Sequence, residues 1–186
     1  MLKRLITFTN DYKIVRGMIS YSILWPVGNL MQQTFVENKN FRTYDWKKCL
    51  RFSVYGACIM GPTMFFWVRL AAKLWPGQTF RSSISKAITE QFTYDPASIC
   101  TFLYLMTLFE GKSMRAAKHE LKAKFFDTYK VGAIYWPIVQ TINFKFVPVR
   151  NQVVCTSFFS MLWSAFLAYM KHIEIEEHKL HENDEK

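Results

Sequence analysis

In YWPIVQTINF, Trp136, Gln140 and Asn143 stand at i, i+4 and i+7, so on a helix all three project from one face. Amides there can do one of two things: hydrogen-bond across to neighbouring helices, or line a narrow hydrated path. Exposed to hydrocarbon, each unpaired amide would cost roughly 2–7 kcal/mol. Asn29, Gln33 and Gln91 are further amides in apolar surroundings, and they join Gln140 and Asn143 as the candidate polar set. Glu90 and Asp95, in ITEQFTYDP, and Arg150, after Val147-Pro148, would set charge at the mouths of such a path. For Gln140 and Asn143 interhelical hydrogen bonding is the plainer reading, because amides satisfy one another readily.

Covalent chemistry finds little support. The chain carries no nucleophile with an adjacent base, no phosphate loop and no paired acid and base, which argues against an enzyme and against a cofactor. His178 and His181 sit three apart beside Glu174 and Glu177, a spacing a metal could use, but a solvated tail is the simpler account and no metal is expected. Cys49, Cys58, Cys100 and Cys155 form no CxxC and lie in or beside apolar runs, as small buried hydrophobes or free thiols do.

The elements that must position these groups follow from the charge pattern. The 186 residues are 51% hydrophobic and 17% aromatic, with a formal net charge of +10. The charges cluster between long uncharged runs: Gly17–Val36 and Asn151–Met170, 20 residues each, and Phe52–Val68, 17 residues. A membrane-spanning helix takes about 20 predominantly apolar residues, with about 17 as the lower limit. Pro96–Phe109 and Val131–Phe144, 14 residues each, are shorter candidates. The fold class read from this pattern is all-α: a polytopic transmembrane helical bundle of four to five membrane helices plus an amphipathic surface helix. Residues 1–171 form one helical domain and 172–186 a charged, disordered tail. The start, MLKRLITFTNDYKIVRG, lacks the apolar core and cleavage site of a secretory signal, which points to import by an internal signal.

Within these spans, Ser53, Ala57 and Gly61 form a small-residue ridge for close helix approach, and Pro62 predicts a kink. The third element is expected from about Ile84 to Phe109. In KSMRAAKHELKAKFFDTYK, Met114, Ala117, Leu121 and Phe125 line one side of a separate surface helix. Its Arg115, Lys118, Lys122 and Lys124 suit anionic lipid heads, although a solvated connector helix fits equally well. Trp25, Trp67, Trp75, Trp136 and Trp163 read as interface anchors or packing residues. The positive charge comes without a stacking or helix-turn-helix motif, so a membrane surface, not nucleic acid, is its expected partner. Basic residues flank the spans on both sides, so orientation stays open.

One set of residues carries a resemblance. Trp136-Pro137, Gln140, Asn143-Phe144, Val147-Pro148 and Trp163 give WPxxQxxNFxxVP followed by a tryptophan fifteen residues on. Gly28 with Gln33, Gly61-Pro62 with Trp67, and Gln91 with Pro96 agree with it over nearly the whole chain. The sequence resembles the Mpv-17-like family of peroxisomal and mitochondrial membrane proteins. The resemblance implies a small integral protein of the mitochondrial inner membrane, or alternatively of the peroxisomal membrane. It also implies a role in forming or regulating a channel, with ties to mitochondrial homeostasis and reactive-oxygen metabolism. A non-conducting structural or interaction protein is the alternative, and a homo-oligomer is compatible with either.

Four positions depart from the family pattern. Asn29 follows Gly28 where an aspartate is usual, Gln152 takes the place of an arginine, and Ser164 and Ala168 replace a usual Asn and Ser. The first two changes together remove one charge of each sign. They predict either that Asn29 and Gln152 are neighbours, or that the two positions drifted independently.

Overall fold

Residues 13–163 are described by a computed structural model, and every regular element among them is helical. The tail 172–186, with Glu174, Glu177, His178 and His181, lies outside the described residues, as do Ser164, Ala168 and the first twelve positions. Helix α1 is Lys13–Phe35 and α2 is Trp46–Leu74. Next come α3 (Phe80–Phe92), α4 (Tyr94–Phe109) and α5 (Met114–Phe146). Helix α6 begins at 149 and is described to 163.

The elements run alternately between two ends of one bundle. Gly56 and Gly61 of α2 pack on Tyr21 and Met18 of α1, so those helices are antiparallel. Gly17 faces Val153 and Gly28 faces Met161, which makes α1 and α6 parallel. One end gathers Lys13, the 75–79 turn and the 147–150 region. There Lys145 Nζ donates to Gln78 O (3.0 Å) and Gln78 Nε2 to Val147 O (3.2 Å). The other end carries the 36–45 loop and the turn at Gly111, whose φ of 77° suits glycine. Between them, Trp25 stacks on Tyr55 at 5.4 Å, and Phe102 of α4 meets both rings edge-on. This aromatic cluster ties α1, α2 and α4 together.

Prolines account for three irregularities. Pro26 cannot donate to the carbonyl of Ser22, and Ser53 Oγ of α2 donates to that carbonyl instead (2.8 Å). Next to Pro62, where a kink was expected, the helix carries a π-helical turn, Gly56–Met60, whose extra residue lets the helix continue past the missing N–H. That residue also moves the small-residue contact. The close approaches fall at Gly56 and Gly61, five apart, where added Cβ atoms would sit 2.7 Å from Tyr21 O and 2.8 Å from Met18 Cα, while Ala57 is only half-buried. The third expected element is two helices. Pro96 has no N–H for the carbonyl of Phe92, and the chain breaks at Thr93. Its start is also earlier, at Phe80, where the Thr79 hydroxyl accepts from Ser82 N.

The surface helix and the WPxxQ segment, expected as separate elements, are one helix. Its 33 residues span about 50 Å, against ~30 Å of bilayer hydrocarbon. Ser113 caps it, and the helix continues through Pro137 to Phe146, with Val147 as its C-cap. Of its expected apolar side, Ala117 is buried, Leu121 and Phe125 are half-buried and Met114 is exposed, while Arg115, Lys118, Lys122 and Lys124 face outward.

The bundle carries an apolar belt outside and buries polar side chains beside its hydrophobic core. Ile134 (72% exposed), Ile138 (60%) and Ile142 follow one another at single-turn spacing on the outer face of α5. Ile23, Phe66, Leu70, Leu74, Phe158 and Leu162 extend this belt over α1, α2 and α6. Among the described residues one helix, Trp46–Leu74 with 29 residues, is long and apolar enough by itself to cross a membrane.

Candidate functional site

The buried amides resolve into two separate clusters. The first closes the 36–45 loop. Asp45 N donates to Gln33 Oε1 (2.6 Å), and Gln33 Nε2 donates to Asn29 Oδ1 (2.9 Å). Cys49 Sγ also donates to Asn29 Oδ1 (3.4 Å), and Asn29 Nδ2 reaches Gln32 Oε1 (3.3 Å). Gln33 thus ties the end of α1 to the start of α2, where Asp45 is the N-cap and accepts from Lys48 N at 2.8 Å. That backbone bond, with the Arg51 guanidinium nearby, holds the Asp45 carboxyl below the usual carboxylate range.

The second cluster lies inside the bundle and draws on α2, α3, α5 and α6. Trp67 Nε1 donates to Glu90 Oε2 (2.7 Å), and Gln140 Nε2 donates to the other carboxyl oxygen. Gln140 Oε1 in turn accepts from Asn143 Nδ2 (3.0 Å) and from Thr156 Oγ1 (3.3 Å). Asn143 Nδ2 also reaches Thr156 Oγ1 (2.9 Å) and the carbonyl of Gln152 (3.2 Å). Gln152 Nε2 donates to Val147 O at 2.9 Å, which fastens the break between α5 and α6. The spacing of Trp136, Gln140 and Asn143 holds as expected for the two amides, which both point inward. Trp136 lies partly exposed and packs beside Trp163, their ring centroids 6.0 Å apart.

Glu90 is 1% exposed and Asp95 is buried too, so neither stands at a mouth. The indole and amide donors around Glu90 take the place of water. Asp95 lies in the first turn of α4, five residues on from Glu90, and is buried with it. Arg150 alone of the expected mouth residues is exposed, at the end of the bundle. Within this interior several polar atoms have no hydrogen-bond partner among the described residues: Asp95 Oδ2, Asn143 Oδ1, and both amide atoms of Gln91.

The expected neighbourhood of Asn29 and Gln152 is not formed. Gly17 meets α6 at Val153, and Asn29 lies twelve residues further along α1. That separates the two levels by about 18 Å of helix. Asn29 bonds within the loop cluster and Gln152 within the central one, which leaves independent drift as the account of these two positions.

Sequence reasoning missed the Trp67–Glu90 bond, Thr156 and Cys49. Trp67 and Glu90 are 23 residues apart on separate helices, so no local spacing announces their contact. Thr156 had a weak signal, lying one turn after Gln152 on the buried face of an otherwise apolar run. Among the described residues no group of three or more His, Cys, Asp or Glu could hold a metal ion.

Comparison with known proteins came to the same part of the chain. A profile of the Mpv17 / PMP22 family matches residues 107–168, which contain Gln140, Asn143, Gln152 and Thr156. The chain is 30% identical over 171 residues to Protein SYM1 of Yarrowia lipolytica, covering 92% of this chain and 80% of that one. It is 28% identical over 176 residues to the Mpv17-like protein of Xenopus laevis, covering 95% and 85%. To the Mitochondrial inner membrane protein Mpv17 of Xenopus laevis it is 23% identical over 152 residues, covering 82% and 86%. No solved structure matches the chain.

Proposed function

The chain belongs to the Mpv17/PMP22 family, and from that premise we propose that it is a multi-pass protein of the mitochondrial inner membrane whose bundle forms or regulates a small-solute path. In this reading α1, α2, the pair α3–α4, α5 and α6 make five crossings. The apolar belt faces acyl chains, and the basic first half of α5 reaches the headgroups, where anionic lipids meet Arg115, Lys118, Lys122 and Lys124. The peroxisomal membrane is the alternative site. The role is not catalytic, and its ties to mitochondrial homeostasis and reactive-oxygen metabolism follow from solute passage.

One observation carries this reading. A carboxyl group, Glu90, is held at the centre of a bundle whose outer surface is hydrocarbon. Ionisable groups at such depth are costly, and where they persist they mark substrate and ion pathways. Glu90, bound by Trp67 and Gln140, is then the constriction of the path in its closed state. The unpartnered atoms of Gln91, Asp95 and Asn143 supply hydrogen-bonding capacity beside it. The test is reconstitution of the full chain in liposomes with a panel of charged and neutral solutes. The wild type passes at least one solute class, and Gln140→Leu or Glu90→Gln alters that flux at equal protein density. Absence of permeation at every pH and potential refutes conduction.

A second reading, a non-conducting structural or interaction protein, is favoured by the same burial. Gln140, Asn143, Gln152 and Thr156 satisfy one another as helix-to-helix glue. On that reading Gln140→Leu lowers stability while no solute crosses in either protein.

A further inference from the structure

At the end of the bundle opposite the 36–45 loop, a cavity of about 330 Å³ opens between α1, α2 and α6. Four cationic side chains line it: Lys13, Arg16, Arg69 and Arg150. They come from three helices far apart in sequence, so the fold, not a local charge run, assembles them. The ion pairs among the described residues all lie elsewhere, and no described carboxylate pairs with any of the four. Two of the guanidiniums are held in place. Arg16 Nη2 donates to Asn151 Oδ1 (3.1 Å), and the Arg69 guanidinium carbon sits 5.0 Å over the Phe65 ring. Neither contact uses the full donor set of an arginine.

The lower wall is different in kind. Phe65, Val68 and Val153 present hydrocarbon to the same cavity, with Phe65 one turn deeper along α2 than Arg69. Val149 at the cavity's lip, and Leu70 and Leu74 just outside it, are exposed and continue the apolar belt toward this end. The volume is at the lower end of small-molecule sites, which run from about 300 to 1,000 Å³. A rim of unpaired cations above an apolar slot, at the edge of a hydrocarbon-facing belt, complements one kind of molecule: an anion joined to an aliphatic chain.

We propose that this cleft binds one anionic glycerophospholipid, its phosphate on Arg16, Arg69 and Arg150 and part of an acyl chain against Phe65, Val68 and Val153. The site is distinct from the basic face of α5 and requires the bundle to sit in a membrane, but it does not require conduction.

The test uses the full chain in nanodiscs of zwitterionic phospholipid, titrated with an anionic phospholipid of the same acyl chains and read by native mass spectrometry. The wild type retains the anionic lipid in preference to the zwitterionic one. Each of Arg16→Gln, Arg69→Gln and Arg150→Gln weakens retention by about fivefold, and the triple variant by about a hundredfold. Val154→Trp, which fills the cleft and keeps every charge, also abolishes retention. Lys118→Gln/Lys122→Gln/Lys124→Gln leaves it unchanged.

Several outcomes overturn the proposal. Equal retention by the triple variant, or loss only in the α5 variant, moves the lipid off this cleft. Displacement by inorganic phosphate at concentrations matching the lipid, with Val154→Trp unaffected, makes it a free-phosphate site. Binding only after removal of residues 1–10 assigns the cleft to the chain's own N-terminal segment. Recovery of the chain in the soluble fraction after carbonate extraction fails the membrane reading itself, which is distinguishable from a membrane protein that retains no lipid.

Discussion

The two buried polar clusters use the same amide side chains for different ends. Around Asn29 and Gln33 the partners are close in sequence, Gln32, Asp45 and Cys49, and they join one loop to the two helices it connects. Around Gln140 and Asn143 the partners come from four helices and include a carboxyl, while nearby polar atoms are left open. A satisfied local cluster fixes geometry. An under-satisfied central one is costly to bury, and it is there that the proposed path has its constriction.

The largest expected effect breaks the central cluster. Glu90→Leu leaves the Trp67 indole N–H and the Gln140 amide without their acceptor, and destabilises the protein by about 3 kcal/mol at 1–3 kcal/mol per orphaned group. Unfolding in mixed micelles measures it; a change within error would place water, not protein, around Glu90. Gln33→Leu removes the acceptor for Asp45 N and costs about 1.5 kcal/mol. It sharpens the contrast because solute flux in liposomes should not change, and an altered flux would make the loop cluster part of the path. Thr156→Val, nearly isosteric, removes a donor to Gln140 and an acceptor for Asn143. It costs ~0.6–1.7 kcal/mol, in the range of hydrogen bonds between membrane helices.

The smallest effect is pH-dependent and belongs to the loop. The folded Asp45 carboxyl lies below its ordinary value, so its stabilising contribution is present above the unfolded pKa of about 3.9 and is lost as pH falls through the folded value. Thermal unfolding between about pH 6 and pH 3 should therefore lose part of its acid sensitivity in Asp45→Asn. An unchanged profile would show that the cap at the start of α2 is not formed in solution.

Much of this was legible in the chain before its structure. Uncharged runs located α1, the core of α2 and the start of α6, and spacing alone aimed Gln140 and Asn143 inward. The inward polar set did not reveal its division, because Asn29 and Gln140 are told apart only by what the fold sets against them. Where the apolar pattern ended, helix continuity overrode it: α5 passes from a basic exposed face into and through the WPxxQ segment as one helix. The break at Thr93 did have a local signal, Pro96 four residues after Phe92, at the end of the polar stretch TEQFTYDP. The shift from Ala57 to Gly56 had none, since one inserted residue at the π turn rotates the contact face.

Which solvent each face of the bundle meets is open to direct measurement. Single cysteines at Ile134, Ile138 and Ile142, and at Val139 between them, can be spin-labelled in proteoliposomes and relaxed by oxygen or by a water-soluble nickel chelate. The apolar belt predicts strong oxygen and weak chelate contact at 134, 138 and 142, with little of either at 139. Strong chelate contact along the isoleucine face would place water where hydrocarbon is required, and would contradict the account.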